Sequence, residues 1–114
     1  MAVSILKQRD YLIASIQSAL TDTEVIELRD ALLHEVARHR ARAVIVDVAA
    51  LDVIDSFVSR SLTVVAKTNR LRGARTIVVG IRPEVAVAMS QFGLRLDAVD
   101  TALDLEAGIE LLDG

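Results

Sequence analysis

The first 17 residues show the apolar and polar pattern of a β-hairpin. Residues 11–17 form a mostly apolar run typical of a strand, and a shorter apolar run at residues 3–6 precedes it. The polar segment at residues 7–10 predicts the turn that joins the two runs. We therefore expect two antiparallel strands here.

A helix start follows at Thr21. The threonine and Glu24, three residues later, have the spacing of a capping box, in which each side chain accepts from the other residue's backbone amide. Apolar residues then recur at spacings of three and four, the period of one helix face, at Val25, Leu28, Leu32 and Val36. The basic residues 38–40 are favourable at the negative end of a helix dipole, so we expect the helix to end near Arg40.

Two nearly continuous apolar runs, at residues 43–48 and 76–80, predict strands that are covered on both faces, as in a parallel sheet. Between them, residues 56–72 predict a second helix, and Gly73 is placed to adopt the left-handed conformation that closes it. The residues expected to face the core from this helix are Val58, Leu62, Val65 and Ala66.

The C-terminal third predicts two further helices. Pro83 is placed at a first helical position, where its missing amide hydrogen is tolerated, and Gly93 is placed to close that helix. Residues 94–99 predict a short strand, and residues 104–112 a last helix. The apolar side of that last helix consists of Leu105, Ile109 and Leu112.

This order of elements predicts one α/β domain over residues 1–114, with a mixed, partly parallel sheet of four to five strands and about four helices. Crossovers between its parallel strands should be right-handed. In such sheets the functional edge lies where strands end and helices begin. The segment that follows the predicted strand at residues 43–48, residues 49–57, is therefore where we expect a site.

Composition narrows the functional classes. The chain has 114 residues, enough for one core, and 53% of them are hydrophobic, which excludes a disordered chain. The 13 basic residues are outnumbered by 16 acidic ones, and only 3% of the chain is aromatic. Because nucleic acids select basic surfaces and stacking aromatic side chains, we do not expect a DNA- or RNA-binding protein. The aliphatic excess indicates either subunits that cover one another's apolar surface or simply a well-filled core.

Cysteine is absent, so disulfides and thiolate chemistry are excluded. The longest uninterrupted apolar run, residues 85–89, is far shorter than the roughly 20 residues of a membrane-spanning helix. The N-terminal residues lack the basic segment and long apolar stretch of a secretory signal. We therefore expect a complete, soluble, cytoplasmic protein.

Motifs for catalysis are missing. The two histidines, His34 and His39, lie five residues apart on the first predicted helix, where they point about 140° from each other and cannot share a metal ion. No serine lies in a Gly-x-Ser-x-Gly turn, and the glycines have neither Walker nor dinucleotide-binding spacing. We expect no enzymatic activity, no bound metal and no cofactor.

Three carboxylates, Asp47, Asp52 and Asp55, lie at the end of a predicted strand and in the loop after it. Oxygen ligands of this kind could hold magnesium, as in a phosphoaspartate site. Such a site would also need an acidic pair after the first strand and a late lysine, and the only lysines are Lys7 and Lys67. We expect instead that Asp52 and Asp55 accept hydrogen bonds from loop and helix-start amides.

Ser56 is the candidate of greatest interest. It follows an aspartate and stands in the predicted first turn of the second helix, where free amides and the helix dipole attract anions. On position alone, an ordinary N-cap residue is the preferred interpretation.

The surrounding sequence adds a resemblance. Residues 51–60, LDVIDSFVSR, and residues 79–86, VGIRPEVA, resemble the STAS domain family of anti-sigma-factor antagonists, and within it the RsbS group of bacterial stressosome antagonists. The resemblance covers almost the whole chain, and its most specific element is Asp55-Ser56-Phe57. Ser59 and Ser61 depart from that group, which usually has a glycine and often a larger apolar residue there. These two extra hydroxyls raise the question of whether only one serine is modified.

The resemblance implies a regulatory role without catalysis. Ser56 would be phosphorylated by an RsbT-like serine kinase, which the protein binds when unphosphorylated and releases afterwards. The protein would also form dimers and a large mixed assembly with an RsbR-like STAS co-antagonist. The residues expected to contact partners are Asp52, Asp55, Ser56, Phe57, Ser59 and Arg60.

Three alternatives stay open. The chain could be a free antagonist that binds an anti-sigma kinase directly, although Phe57 after the serine argues against this. It could be a regulatory STAS subunit of a transporter complex, with the membrane segment in a partner. A nucleotide-binding enzyme is the third.

Overall fold

The computed structural model describes residues 3–113, so residues 1, 2 and 114 of the predicted domain lie outside the described range. In chain order, the elements are β1 (Val3–Gln8), β2 (Tyr11–Ile16), α1 (Asp22–His39), β3 (Ala43–Asp47), α2 (Ser56–Leu71), β4 (Arg75–Val79), α3 (Pro83–Gln91), β5 (Asp100–Ala102) and α4 (Leu105–Asp113).

The five strands form one mixed sheet, in the order β1-β2-β3-β4-β5. β1 and β2 pair antiparallel, and every other neighbouring pair is parallel. The predicted α/β class, with its mixed sheet and four helices, is therefore confirmed. Since β2, β3, β4 and β5 are parallel, the loops that follow them meet at one edge of the sheet.

The predicted hairpin is confirmed, but its turn is shorter than the sequence indicates. Lys7 and Gln8 extend β1 and pair with Leu12 and Tyr11, which leaves only two residues in the turn. Arg9, the first of these, has a φ of 54°. Both added residues are exposed on an edge strand, where the backbone can pair although the side chains are polar.

The helices lie in two unequal layers. α1, α2 and α3 pack on one face of the sheet, where their buried side chains join Leu12, Val44 and Val78 in the larger core. α4 lies alone on the other face, where Leu105, Ile109 and Leu112 pack against the smaller core around Ile45 and Ile77. The predicted inner faces of α1 and α4 are both confirmed. No helix in residues 3–113 is long and apolar enough to cross a membrane.

The predicted helix ends agree well with the structure. Glu24 N donates to Thr21 Oγ1 over 3.2 Å, and Thr21 N donates to Glu24 Oε1 over 3.0 Å, which completes the capping box. Arg40 ends α1 with a φ of 49°. Gly73 and Gly93 both adopt positive φ values after α2 and α3, as expected.

The strand predicted at residues 94–99 is wrong. This segment is irregular, and Ala98 adopts a φ of 68°, which interrupts an extended chain. Its apolar residues Leu94, Leu96 and Val99 instead pack against the larger core. The edge strand β5 begins only at Asp100, where pairing with β4 becomes possible.

Candidate functional site

The loop after β3, residues 48–55, is held against the sheet edge by its own backbone. Val48 N donates to Val79 O over 3.0 Å, and Leu51 N donates to Val48 O over 2.9 Å. Buried Leu51 and Ile54 anchor the loop in the larger core. Because these contacts determine the path of the loop, they also determine where α2 begins.

Gly80 allows this loop to approach β4. Its φ is 81°, and a Cβ added there would lie 2.9 Å from the Cβ of Ala49. Such a distance is too short for two carbon atoms without a shift of the backbone. The close contact between Gly80 and Ala49 therefore requires glycine for two separate reasons, conformation and space.

α2 is capped by Asp55. Asp55 Oδ1 accepts a hydrogen bond from Val58 N over 2.9 Å, and Asp55 O accepts one from Ser59 N over 2.9 Å. The expectation that Asp55 serves a helix-start amide is confirmed, whereas the alternative of Ser56 as the N-cap is wrong. Aspartate and serine can both cap a helix. Asp55 is the N-cap here because its backbone is extended (φ −84°, ψ 179°).

Ser56 is the first residue of α2, and it is exposed to solvent. At this position the side chain lies beside the unpaired amides of the first helical turn and at the positive end of the helix dipole. Arg60, one turn later on the same helix face, is also exposed, and Phe57 is half-buried. Four of the predicted contact residues, Asp55, Ser56, Phe57 and Arg60, thus lie around one helix start.

Ser59 does not belong to this surface. The residue is only 3% exposed, and its Oγ donates to the backbone oxygen of Arg95 over 2.8 Å. Ser61 is buried as well. The structure therefore separates Ser59, predicted to contact partners, from exposed Ser56. Through this hydrogen bond, the Ser59 hydroxyl holds the segment after α3.

Asp52 takes part in an ion pair instead of accepting from loop amides, contrary to expectation. Its carboxylate contacts the guanidinium of Arg82, the residue that precedes α3. The same guanidinium lies 3.6 Å from Glu84 Oε1. Arg82 thereby ties the loop that leads to Ser56 to the start of α3, a connection that no local pattern indicates.

The three carboxylates considered for a metal ion do not form a ligand set. Asp47 Oδ1 accepts from Ala49 N over 2.9 Å, while Asp52 and Asp55 are engaged by Arg82 and Val58 N. Throughout residues 3–113, no group of three or more carboxylates and histidines lies close enough together to hold a metal ion.

The two histidines lie at the surface of α1, where His34 is exposed. His39 Nε2 lies 3.0 Å from Glu35 Oε2, one turn earlier on α1. This contact accounts for His39 as a surface residue of the helix.

An apolar cleft of about 480 Å³ opens beside Ser56, between the loop and α3. Ile54, Val85 and Met89 line its inner part, and Asp52, Asp55 and Ser56 line it from the side of the loop and α2. Val53 and Phe92, both strongly exposed, also line it. The sequence reasoning missed these last two residues, although a phenylalanine in a chain with only three aromatic residues was a usable signal.

Comparisons with known proteins agree with the fold described above. The sequence profile of the STAS domain matches residues 2–107. A solved structure of a serine-to-glutamate variant of RsbS from Moorella thermoacetica is 34% identical. It superposes with a TM-score of 0.85 over 99% of this chain and 96% of that chain. A chain in a structure of the stressosome, described as a signal integration and transduction hub, is 32% identical, with a TM-score of 0.76 over 96% of each chain.

Among curated proteins, the RsbT co-antagonist RsbRA of Bacillus subtilis is 33% identical over 90 residues. These residues are 78% of this chain but only 33% of RsbRA, so the chain spans about a third of the length of that relative.

Proposed function

This chain belongs to the STAS domain family, and we propose that it is the antagonist of a bacterial partner-switching pathway of the stressosome type. In this proposal it binds an RsbT-like serine kinase while Ser56 is unphosphorylated. Phosphorylation of Ser56 by that kinase releases the kinase.

The observation that carries the proposal is the exposure of Ser56 at the first position of α2. A kinase must reach the serine oxygen, and a buried hydroxyl such as that of Ser59 is out of reach without unfolding. The 34% identity to an RsbS variant in which a serine was replaced by glutamate supports the assignment, because glutamate imitates part of the charge of phosphoserine.

The fold tolerates a phosphate at this position. Phosphorylation adds about −1.5 to −2 charge, and the N-terminus of a helix stabilises a negative group by roughly 0.3–1 kcal/mol. The capping bond from Val58 N to Asp55 does not involve Ser56, so it is retained. Phosphorylation of Ser56 thus leaves the domain folded, and its effect falls on the interface with the partner.

At a docked surface, the same charge is strongly unfavourable. It lies next to Asp55, and on binding it must be desolvated or placed against carboxylates of the partner. Like-charge juxtaposition at an interface costs several kcal/mol. A penalty of about 3 kcal/mol lowers affinity more than a hundredfold, enough to release a moderately bound kinase.

The proposal assigns contact residues around the phosphorylated serine. Asp55 positions Ser56 by capping α2, while Asp52, Phe57 and Arg60 belong to the surface that the kinase covers. In this role the protein is a substrate and a binding module, and it turns over no substrate of its own.

The proposal also includes assembly. Similarity to a chain of the stressosome and to the co-antagonist RsbRA supports self-association and a mixed assembly with an RsbR-like STAS protein.

The decisive test mixes the purified protein with the RsbT-like kinase of the same bacterium and ATP, and maps the modified residue by mass spectrometry. We expect one phosphate, on Ser56, none on Ser56→Ala, and release of the kinase as the phosphate accumulates. The variant Ser56→Asp should keep the unfolding midpoint of the wild type and lose the kinase. Equal kinase binding by Ser56→Asp and the wild type would contradict the proposal.

A further inference from the structure

The cleft beside Ser56 is the strongest unexplained feature of the surface. Its volume of about 480 Å³ is within the range of roughly 300–1,000 Å³ typical of ligand sites. Ser56 itself is one of the residues that line it. A group attached to the Ser56 oxygen would therefore lie at the cleft or within it.

Two exposed apolar side chains border the cleft from opposite elements. Val53, in the loop before α2, is 69% exposed, and Phe92, at the end of α3, is 79% exposed. Of the three aromatic residues in the chain, Tyr11 is buried, Phe57 directly follows Ser56, and Phe92 lines the same cleft as Ser56. Aromatic residues are enriched where proteins bind other proteins, and a small domain gains nothing in its own core from an exposed phenylalanine.

The charged residues of the cleft already have partners within the chain. The carboxylate of Asp52 is paired with Arg82, and the carboxylate of Asp55 accepts from Val58 N. Asp55 keeps its negative charge at the edge of the cleft, and apart from Asp52, Asp55 and Ser56 the lining is apolar, formed by Val53, Ile54, Val85, Ala88, Met89, Phe92 and Leu94. The chemistry that complements it is an uncharged apolar side chain, since a charged group would lose its hydration without gaining a counter-ion.

We propose that the cleft bordered by Val53 and Phe92 is the docking pocket for an apolar anchor residue of the RsbT-like kinase. This inference rests on the proposed function and adds the place on the domain where the kinase docks. A phosphate on Ser56 places about −1.5 to −2 charge on the wall of an apolar pocket. The anchor can then enter only by desolvating the phosphate, so phosphorylation and docking exclude each other.

The first test measures the affinity of the unphosphorylated protein for its RsbT-like kinase by calorimetry. We expect Phe92→Ser and Val53→Ser each to weaken binding about tenfold, the loss typical of a contact at the centre of an interface. Both side chains are exposed, so both variants should keep the thermal midpoint of the wild type.

The matched control is Leu71→Ser. Leu71 is 89% exposed and lies at the other end of the helix that begins with Ser56, about 22 Å away for a helix of this length. Its replacement removes a comparable apolar side chain without touching the cleft. The affinity of Leu71→Ser should equal that of the wild type.

The outcomes separate the inference from the proposed function. If the wild type fails to bind the kinase, or if Ser56→Asp binds equally well, the proposed function fails and the docking pocket with it. If the wild type binds, Ser56→Asp does not, and Phe92→Ser and Val53→Ser bind like the wild type, the function stands and the docking pocket is overturned. Loss of self-association in Phe92→Ser, with unchanged kinase affinity, would show that a second copy occupies the cleft and would also overturn it.

The absence of cysteine permits a direct second test. Val53→Cys and Leu71→Cys each introduce a single thiol, which can carry a photoactivatable cross-linker. We expect cross-links to the kinase from position 53, lost when Ser56 is phosphorylated, and none from position 71. Equal cross-linking from both positions would contradict the pocket.

Discussion

Arg82, the residue before α3, forms an ion pair with Asp52, in the loop that leads to Ser56. The two residues are 30 positions apart in the chain. The contact joins the segment that carries the candidate phosphorylation site to the helix on the far side of the cleft. Asp52 is 87% exposed, so the pair adds little to stability, and we assign it to positioning of the loop.

Breaking this ion pair should impair phosphorylation of Ser56 more than folding. For Asp52→Ala and Arg82→Ala, we expect a loss of at most about 1 kcal/mol in the free energy of unfolding, because exposed pairs contribute little. The rate at which the RsbT-like kinase phosphorylates Ser56 should fall in both. Urea denaturation and a kinase assay measure the two effects.

The charge-swapped double variant, Asp52→Arg with Arg82→Asp, is the control for this prediction. It restores the attraction with the charges exchanged, so it should recover part of the phosphorylation rate. A rate equal to that of the wild type in both single variants would show that the ion pair has no positioning role.

Ser59 should be structural and remain unmodified. Ser59→Ala removes the donor to the backbone oxygen of Arg95 and leaves that carbonyl without this partner. We expect a loss of about 1 kcal/mol in the free energy of unfolding, typical of one buried hydrogen bond, measured by urea denaturation. Ser56→Ala, which removes an exposed hydroxyl, is the matched control and should change stability by less than about 0.5 kcal/mol. Detection of phosphate on Ser59 in the folded wild type would contradict this assignment.

Gly80→Ala should destabilise the protein through both backbone strain and crowding. A left-handed conformation costs a residue with a Cβ roughly 1–2 kcal/mol, and the new methyl group would also collide with Ala49. Gly73→Ala isolates the first effect, because Gly73 has a φ of 77° but no atom within 4 Å of the added Cβ. Thermal or urea unfolding should therefore show a larger loss for Gly80→Ala than for Gly73→Ala. Equal losses would mean that the loop moves freely away from β4.

The Asp10–Arg42 pair should make stability depend on pH in the acid range. Arg42 Nε lies 2.8 Å from Asp10 Oδ2, and the hydrogen bond from this guanidinium is the main reason why the pKa of Asp10 is lowered. A carboxyl group with a lower pKa in the folded state binds more protons when unfolded. Its stabilising contribution is complete above the pKa of the unfolded chain and is lost as pH falls through the lowered folded-state pKa.

Asp10→Asn removes this titration. We expect the variant to be less stable than the wild type at neutral pH and to approach it as the pH is lowered into the range where Asp10 becomes protonated. Urea denaturation at a series of pH values gives both curves. A constant difference between the curves across that range would show that the pair does not contribute.

Much of the fold could be predicted because its signals are local. The capping box at Thr21, the buried strand at residues 43–48 and the apolar faces of α1 and α4 all depend on residues within a few positions of one another. Local chemistry also placed Ser56 at a helix start. It could not choose between Asp55 and Ser56 as the cap, because both side chains can accept the bond and only the backbone angles distinguish them.

The wrong prediction of a strand at residues 94–99 shows what local patterns cannot determine. Apolar residues that alternate with polar ones are typical of a strand, yet here they fill the larger core from an irregular segment. Whether a segment pairs as a strand depends on its alignment with the neighbouring strand, and β4 aligns with Asp100–Ala102 instead.

The amino-acid sequence by itself determined the order of strands and helices, the α/β class and the serine at the start of α2, because each follows from spacing along the chain. Only the tertiary structure decided that Ser59 is buried, that Arg82 reaches Asp52, and that Val53 and Phe92 border one cleft. Those relationships join residues far apart in the chain, and they exist only once parallel strands bring the loops to a common edge of the sheet.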